Sequence, residues 1–325
     1  MRSDITIAVI RVFTLLLAAT FITFFLLYHS PINTIDAYIG EKAVSEIQKM
    51  NIIAYWGLNE SFFSQYISWL TNILNGDFGV SIVYKRDVIL IIKEYFFASL
   101  LLMGIAWIFS GIFGFIFGVI CAIKQNSLLD KAIKTFSLIL ASTPSFWLGL
   151  LILMFFSIKL GLFPQGFTAP IGKLSSEVTI IDKLHHIFLP ALTLSIVSIA
   201  PVVLHTRQKV IEVLQSDYVL FAKMLGKSKR NIIFSHVIKN SIIPALTLQF
   251  ASFGELFGGS ILTEKVFSYS GLGSATIKAG LNGDMQLLLA ITLFASIFVF
   301  AGNFCANILY LKINPEIKKE YKREI

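Results

Sequence analysis

The run Leu287-Leu288-Leu289-Ala290-Ile291-Thr292-Leu293-Phe294-Ala295-Ser296-Ile297-Phe298-Val299-Phe300-Ala301-Gly302-Asn303-Phe304-Cys305-Ala306-Asn307-Ile308-Leu309-Tyr310-Leu311 passes through 25 positions without one charged side chain. A helix of about 20 apolar residues crosses the roughly 30 Å hydrocarbon core of a bilayer. Five more runs meet that requirement, at 9–28, 95–123, 136–158, 187–204 and 242–262. The run at 136–158 is also free of charge, and the one at 95–123 is long enough to tilt or protrude. In lipid only helices and closed barrels satisfy their own backbone groups. These runs are too long, and lack the two-residue alternation, for barrel strands. The expected fold is therefore an all-α polytopic membrane protein with six transmembrane helices.

Composition points the same way. Of 325 residues, 56% are hydrophobic and only 14% charged, where a soluble domain carries about 25% charge. That leaves too little polar surface for a water-facing globule. It excludes disorder, a disulfide scaffold and an ordinary cytosolic enzyme. Cys121 and Cys305 both lie in apolar runs and read as reduced, packed thiols. Arg2 and Arg11, in the n-region of the first run, suit a signal peptide. The run is long, however, and Tyr28-His29-Ser30-Pro31 is a poor cleavage site, so a retained helix is expected.

The formal charge of +8 is unevenly placed. With the N-terminus inside, the inner segments hold 17 of the 27 Lys and Arg and a net charge of +10. The outer segments sum to −1, and Glu255 within the fifth run supplies the remaining −1. Basic residues gather on the cytoplasmic side of membrane proteins, so both termini are expected in the cytoplasm. Topology and anionic lipid account for the basic excess without nucleic acid. The chain divides into 1–28 (N-terminal tail and first span), 29–94 (an extracytoplasmic cap of short helices) and 95–325 (the core with spans two to six). Within the core, an amphipathic inner segment occupies 205–241, and the outer loop 159–186 is rich in Gly and Pro.

The sequence carries no recognisable active-site motif. Gly226-Lys227-Ser228 imitates the end of a P-loop, but Phe221 stands where the motif needs Gly. Gly271-Leu272-Gly273 lacks the third glycine of a dinucleotide fingerprint. Adjacent His185 and His186 diverge by about 100° on a helix and serve one metal poorly. They read as interfacial polar residues. Gly111, Gly114 and Gly118 read as a helix-packing set.

The inner segment is where a partner can act. Between Val213 and Pro244 apolar residues recur at helical spacing on both sides of Gly226, Gly226 suits a helix C-terminus, and Ser228 suits the start of a second helix. A helix–turn–helix along the cytoplasmic face follows, either resting on lipid or serving as a docking element. The length, the internal Gly and the Asp217-Tyr218 pair favour docking.

This segment resembles the cytoplasmic loop of permease subunits of ATP-binding-cassette importers. More narrowly it is similar to the first permease of the dipeptide, oligopeptide and nickel uptake group. Asp217-Tyr218-Val219, Ala222, Gly226, His236, Asn240 and Pro244 stand in that group's register. So do Asn75-Gly76-Asp77-Phe78-Gly79-Val80-Ser81, Thr143-Pro144-Ser145-Phe146-Trp147-Leu148-Gly149, Leu160-Gly161-Leu162-Phe163-Pro164, Leu189-Pro190-Ala191-Leu192-Thr193-Leu194, Val266-Phe267 with Gly271-Leu272-Gly273, and Asn314-Pro315. The chain departs from the group where Leu220 replaces the Glu of the wider superfamily, where Met224-Leu225 precede the Gly, and where Tyr269-Ser270 replace Trp-Pro.

The resemblance implies a type I importer fold with a cytoplasmic coupling helix, in a bacterial cytoplasmic membrane. It implies a second permease as heterodimer partner, two ATP-binding subunits holding ATP and Mg, and an extracytoplasmic substrate-binding protein. The chain itself would carry no cofactor and no active site. Asp217, Tyr218, Ala222, Gly226, His236, Asn240 and Pro244 are the expected ATPase-coupling residues, and Ser145, Phe146 and Glu255 the candidates for the translocation pathway. Two readings stand for Glu255: contact with a cationic group of the substrate, or a paired or protonated carboxylate between the permeases. Small peptides and nickel or other metal chelates both remain as substrates, since the binding protein largely selects. A membrane sensor or scaffold, and an intramembrane enzyme, are the rival classes.

Overall fold

The computed structural model describes residues 2–32, 45–55, 59–174 and 176–313. Trp56, expected in the cap, and Asn314-Pro315 lie outside the described residues. The helices, in order, are α1 (Arg2–Tyr28), α2 (Glu46–Tyr55), α3 (Phe62–Leu74), α4 (Val88–Ile123), α5 (Leu128–Ala141), α6 (Ser145–Ile152), α7 (Ile180–Leu214), α8 (Asp217–Met224), α9 (Lys229–Ile232), α10 (Lys239–Ala251), α11 (Phe253–Val266), α12 (Leu272–Leu281) and α13 (Met285–Ile313). Two π-helical turns, Leu153–Lys159 and Ile233–Ile238, extend α6 and lead into α10. The chain forms two compact units, Met1–Ser99 with Ser270–Phe298, and Leu100–Tyr269 with Val299–Ile325.

Among the described residues four helices are long and apolar enough to cross a membrane, Ile10–Tyr28, Val88–Ile123, Ile180–Leu214 and Met285–Tyr310, and a bent pair of helices makes a fifth if it counts as one span. Two of the expected runs take a different form. The run at 136–158 is split into α5 and α6, whose axes meet at 106°. Pro144 causes the break: it sits in extended conformation at the N-cap of α6, and a proline disfavours helical backbone in the residue before it. The run at 242–262 is split at Ser252, between α10 and α11. There the Ser252 hydroxyl donates to the Gln249 carbonyl at 2.9 Å, and such local bonds compete with helix continuation. The fourth run is longer than expected. Thr179 and Asp182 form a capping box that starts α7 seven residues before Ile187.

In the first unit, α3 docks on α1. Ser61 caps α3 by accepting from the Ser64 amide at 3.4 Å. Tyr66 and Trp69, one turn apart, are buried with Phe24 and Leu289. The Tyr66 phenol lies 3.1 Å from the Thr20 hydroxyl. After α3 the chain turns at Gly76 (φ +83°) and Gly79 (φ +71°), and Val80 and Asp87 then form an antiparallel bridge.

In the second unit, α7 is the central post, with α5, α6, α10 and α11 packed on it. The second half of α4 also approaches α7. A Cβ on Gly118 would lie 2.6 Å from the Thr206 Cβ and 2.9 Å from the Val203 carbonyl, and one on Gly114 would lie 2.7 Å from the Val202 Cβ. Only a hydrogen side chain permits that spacing. The loop before α7 is pinned from two sides. His186 donates from Nδ1 to the Gly166 carbonyl at 2.8 Å, and the Phe167 amide donates to the Phe267 carbonyl at 3.0 Å.

Candidate functional site

The coupling segment is built from α8 and the turn after it. Ser216 precedes α8, and Asp217 stands in its first turn, where a carboxylate complements the helix dipole. The helix closes on Gly226, whose φ is +76°. Lys227 N–H donates to the Ala222 carbonyl at 3.2 Å and Gly226 N–H to the Lys223 carbonyl at 3.0 Å. That pair of bonds is a Schellman closure, which needs a left-handed residue at the position of Gly226. Ser228 then caps α9 by accepting from the Asn231 amide at 3.3 Å.

One edge of α8 is fixed to the unit. Val219 (0% exposed) and Ala222 are buried with Val119 and Ala122 of α4, Val210, Ile211 and Val213 of α7, and Ile232 and Val237. A side chain larger than Ala222 has no room in that cluster. The other edge is apolar and open: Phe221 is 62% and Met224 74% exposed, with Leu220 and Leu225 beside them. A short helix with one apolar edge buried and another bare suits a protein partner or the lipid surface.

Three predicted coupling residues meet. Asn240 Nδ2 donates to the Tyr218 phenol at 3.4 Å, and the Tyr218 and His236 rings lie 5.9 Å apart. Tyr218 thus faces the start of α10, while His236 sits in the π-turn with its Nε2 buried and unpartnered. Asp217 is exposed, and Pro244 is buried inside α10.

The pathway candidates are spread out. Ser145 begins α6 half-buried, and Phe146 beside it is 44% exposed. Glu255 is exposed in the first turn of α11. Among the described residues no hydrogen bond or ion pair joins Glu255 to Ser145 or Phe146, and no cluster of three His, Cys, Asp or Glu is placed to hold a metal. A cavity of about 300 Å³ between α4, α7 and α10 is lined by Trp107, Ile112, Phe115, Val202 and Leu246, with Gln249 contributing its amide. It has no charged lining group to orient a zwitterion.

Several charged residues escaped the sequence reading. Arg207 and Asp130 form a two-pronged ion pair, Nε to Oδ1 at 2.7 Å and Nη2 to Oδ2 at 2.8 Å. Glu264 is fully buried in α11. Burial, and then the Glu264 carboxylate, push the Tyr269 phenol above its ordinary range. In the first unit, Asp284 is fully buried ahead of α13 and accepts from Ser81 and from backbone amides. Burial raises its carboxyl above the usual range, and the donors pull the other way. The Tyr84 phenol, near Asp284 and Tyr95, is raised by burial first and by those two neighbours after it. The pattern Ser127-Leu128-Leu129-Asp130 was a readable helix-start signal, but nothing local announced its partner 77 positions away.

The chain is similar to known proteins over nearly its full length. A family model described as "binding-protein-dependent transport system inner membrane component" matches residues 114–319, and its N-terminal companion matches 3–86. The oligopeptide transport system permease protein AppB of Bacillus subtilis (strain 168) is 32% identical over 305 residues, covering 94% of this chain and 95% of that one. The di/tripeptide transport system permease protein DppB of Pseudomonas aeruginosa is 32% identical over 316 residues, covering 93% and 94%. The glutathione transport system permease protein GsiC of Escherichia coli (strain K12) is 32% identical over 262 residues, covering 81% of each chain.

Proposed function

The chain belongs to the family of inner membrane components of binding-protein-dependent transport systems, and from that premise we propose that it is one of two permeases of an importer for small peptides. It is a multi-pass transport subunit of the ATP-binding-cassette class, and such systems work with ATPases, a partner permease and a binding protein. The peptide assignment rests on relatives named for oligopeptide, di/tripeptide and glutathione transport.

The observation that carries the mechanism is the two-sided coupling helix. Its Val219–Ala222 edge is part of the core of the second unit, and its Phe221–Met224 edge is free to seat in a cytoplasmic ATPase. ATP-driven closure of two ATPases would draw the two coupling helices together. Each would carry its attached spans as a rigid body and turn the pathway outward, and hydrolysis would reset it. The basic excess of segment 205–241 orients that segment, and both termini, toward the cytoplasm.

The test is reconstitution of the chain with its partner permease, two ATPases and binding protein in proteoliposomes. Labelled di-, tri- and pentapeptides are offered against nickel and a nickel chelate. ATP-dependent accumulation of peptide supports the proposal. Accumulation of metal with no competition by peptide refutes it.

A further inference from the structure

The ion pair Asp130–Arg207 is a two-pronged polar contact in the second unit. The Asp130 side chain is 3% and that of Arg207 16% exposed. A buried charge pair is costly to desolvate and holds only when its geometry satisfies both partners. Here both guanidinium prongs meet both carboxylate oxygens, at 2.7 and 2.8 Å. Asp130 Oδ2 also accepts from the Asn126 amide at 2.9 Å. Asn126 takes a φ of +65°, so this bond fixes the turn between α4 and α5. Ser127 completes the arrangement by capping α5 through the Asp130 amide at 3.3 Å. One carboxylate therefore joins the α4–α5 turn, the start of α5 and the cytoplasmic end of α7.

The position of Arg207 gives that junction a direction. Val210, Ile211 and Val213, one to two turns further along α7, are buried with Val219 and Ala222 of the coupling helix. Apolar helix faces slide past one another by small shear motions. A planar, two-pronged bond does not slide, because a shift along the axis breaks both prongs together. Beyond α5 lies the 106° bend and then α6, which begins with Ser145 and Phe146.

We propose that Asp130 and Arg207 are positioning residues that lock α5 to α7, so that movement of the coupling helix is passed to the bent span carrying Ser145 and Phe146. The pair works as a latch that stays closed through the transport cycle. This rests on the importer reading above.

The experiment uses the complete reconstituted importer with Asp130→Asn, Arg207→Gln and Arg207→Lys. Asp130→Asn and Arg207→Gln should assemble with the ATPases and keep basal ATP hydrolysis within about twofold, while uptake falls about tenfold or more, the range of an allosteric coupling energy. Arg207→Lys keeps the charge but not the fork, and should leave uptake as low as in the neutral variants. Wild-type uptake by Asp130→Asn and Arg207→Gln overturns the proposal, as does equal loss of basal hydrolysis and uptake. If those variants do not assemble, hydrogen exchange on the wild-type importer decides. The Asn126 amide should stay protected both with and without a non-hydrolysable ATP analogue, and its deprotection in either state overturns the latch. A wild-type complex that takes up nothing in response to ATP would instead sink the importer reading itself.

Discussion

The Ser81 hydroxyl donates to the Asp284 carboxylate at 2.5 Å, joining residues 203 positions apart. The same carboxylate accepts from the Val83 amide at 3.1 Å and the Leu287 amide at 3.2 Å. One buried side chain thus starts α13 and holds the loop that follows α3. Removing it leaves the buried Ser81 hydroxyl without its acceptor and two amides unpaired. Asp284→Ala should destabilise the subunit by about 2–4 kcal/mol, read as a lowered midpoint of thermal unfolding in detergent. An unchanged midpoint would show that water replaces the carboxylate at no cost.

The same residue sets a pH dependence. Burial holds the Asp284 carboxyl above its ordinary range despite its donors. The folded protein therefore binds this proton more tightly than the unfolded chain. The stability it contributes is fully present below the ordinary carboxylate range and is lost as pH rises through the elevated value. Asp284→Asn removes the titration. Wild type should gain stability relative to Asp284→Asn as pH is lowered from 8 toward 4, to a degree set by the shift. Parallel melting curves, or a trend in the opposite direction, would refute the raised carboxyl.

What the sequence disclosed was local. Gly226, Ser228 and the spacing of Val219 and Ala222 announce a closed helix and the start of another within a dozen residues, and the structure builds both. Length and apolarity place the spans but not their breaks. Pro144 and Ser252 sit inside runs whose hydropathy is continuous, and the bends there come from backbone chemistry that averaging hides. Asp130, Arg207 and Asp284 were counted only as charges. Their roles depend on partners 77 and 203 positions away, which no periodicity brings together. The charge ledger changes meaning accordingly, since Arg207 is neutralised by Asp130 and offers no free charge to lipid or to an ATPase.

Gly226 permits a sharper prediction than its spacing alone. Its φ is +76°, yet no heavy atom lies within 4 Å of where a Cβ would stand. The constraint is therefore backbone strain and not crowding. A β-branched residue in this conformation costs about 1–2 kcal/mol, and Asn far less. Gly226→Val should leave the subunit in the membrane, abolish uptake and uncouple ATP hydrolysis from the binding protein, whereas Gly226→Asn should keep most uptake. Equal uptake by both variants would show that the turn does not set the position of the coupling helix.

Glu255 separates the two readings of the fifth run. It lies in the first turn of α11, just past the break at Ser252, and its side chain is exposed on the subunit. Gly254 and Gly258 flank it on the same stretch, and a Cβ at Gly258 would meet nothing within 4 Å. Within the hydrocarbon, bare lipid would cost such a carboxylate several kcal/mol, so a passage or a partner subunit is its expected neighbour. A pathway carboxylate attracts the α-amine of a peptide. Glu255→Gln should then lower uptake of free-amine peptides about tenfold while changing uptake of N-acetylated peptides less than about twofold. The two permeases should co-purify as in wild type. Loss of the permease pair, with uptake reduced equally for both peptide classes, would assign Glu255 to the interface between subunits instead.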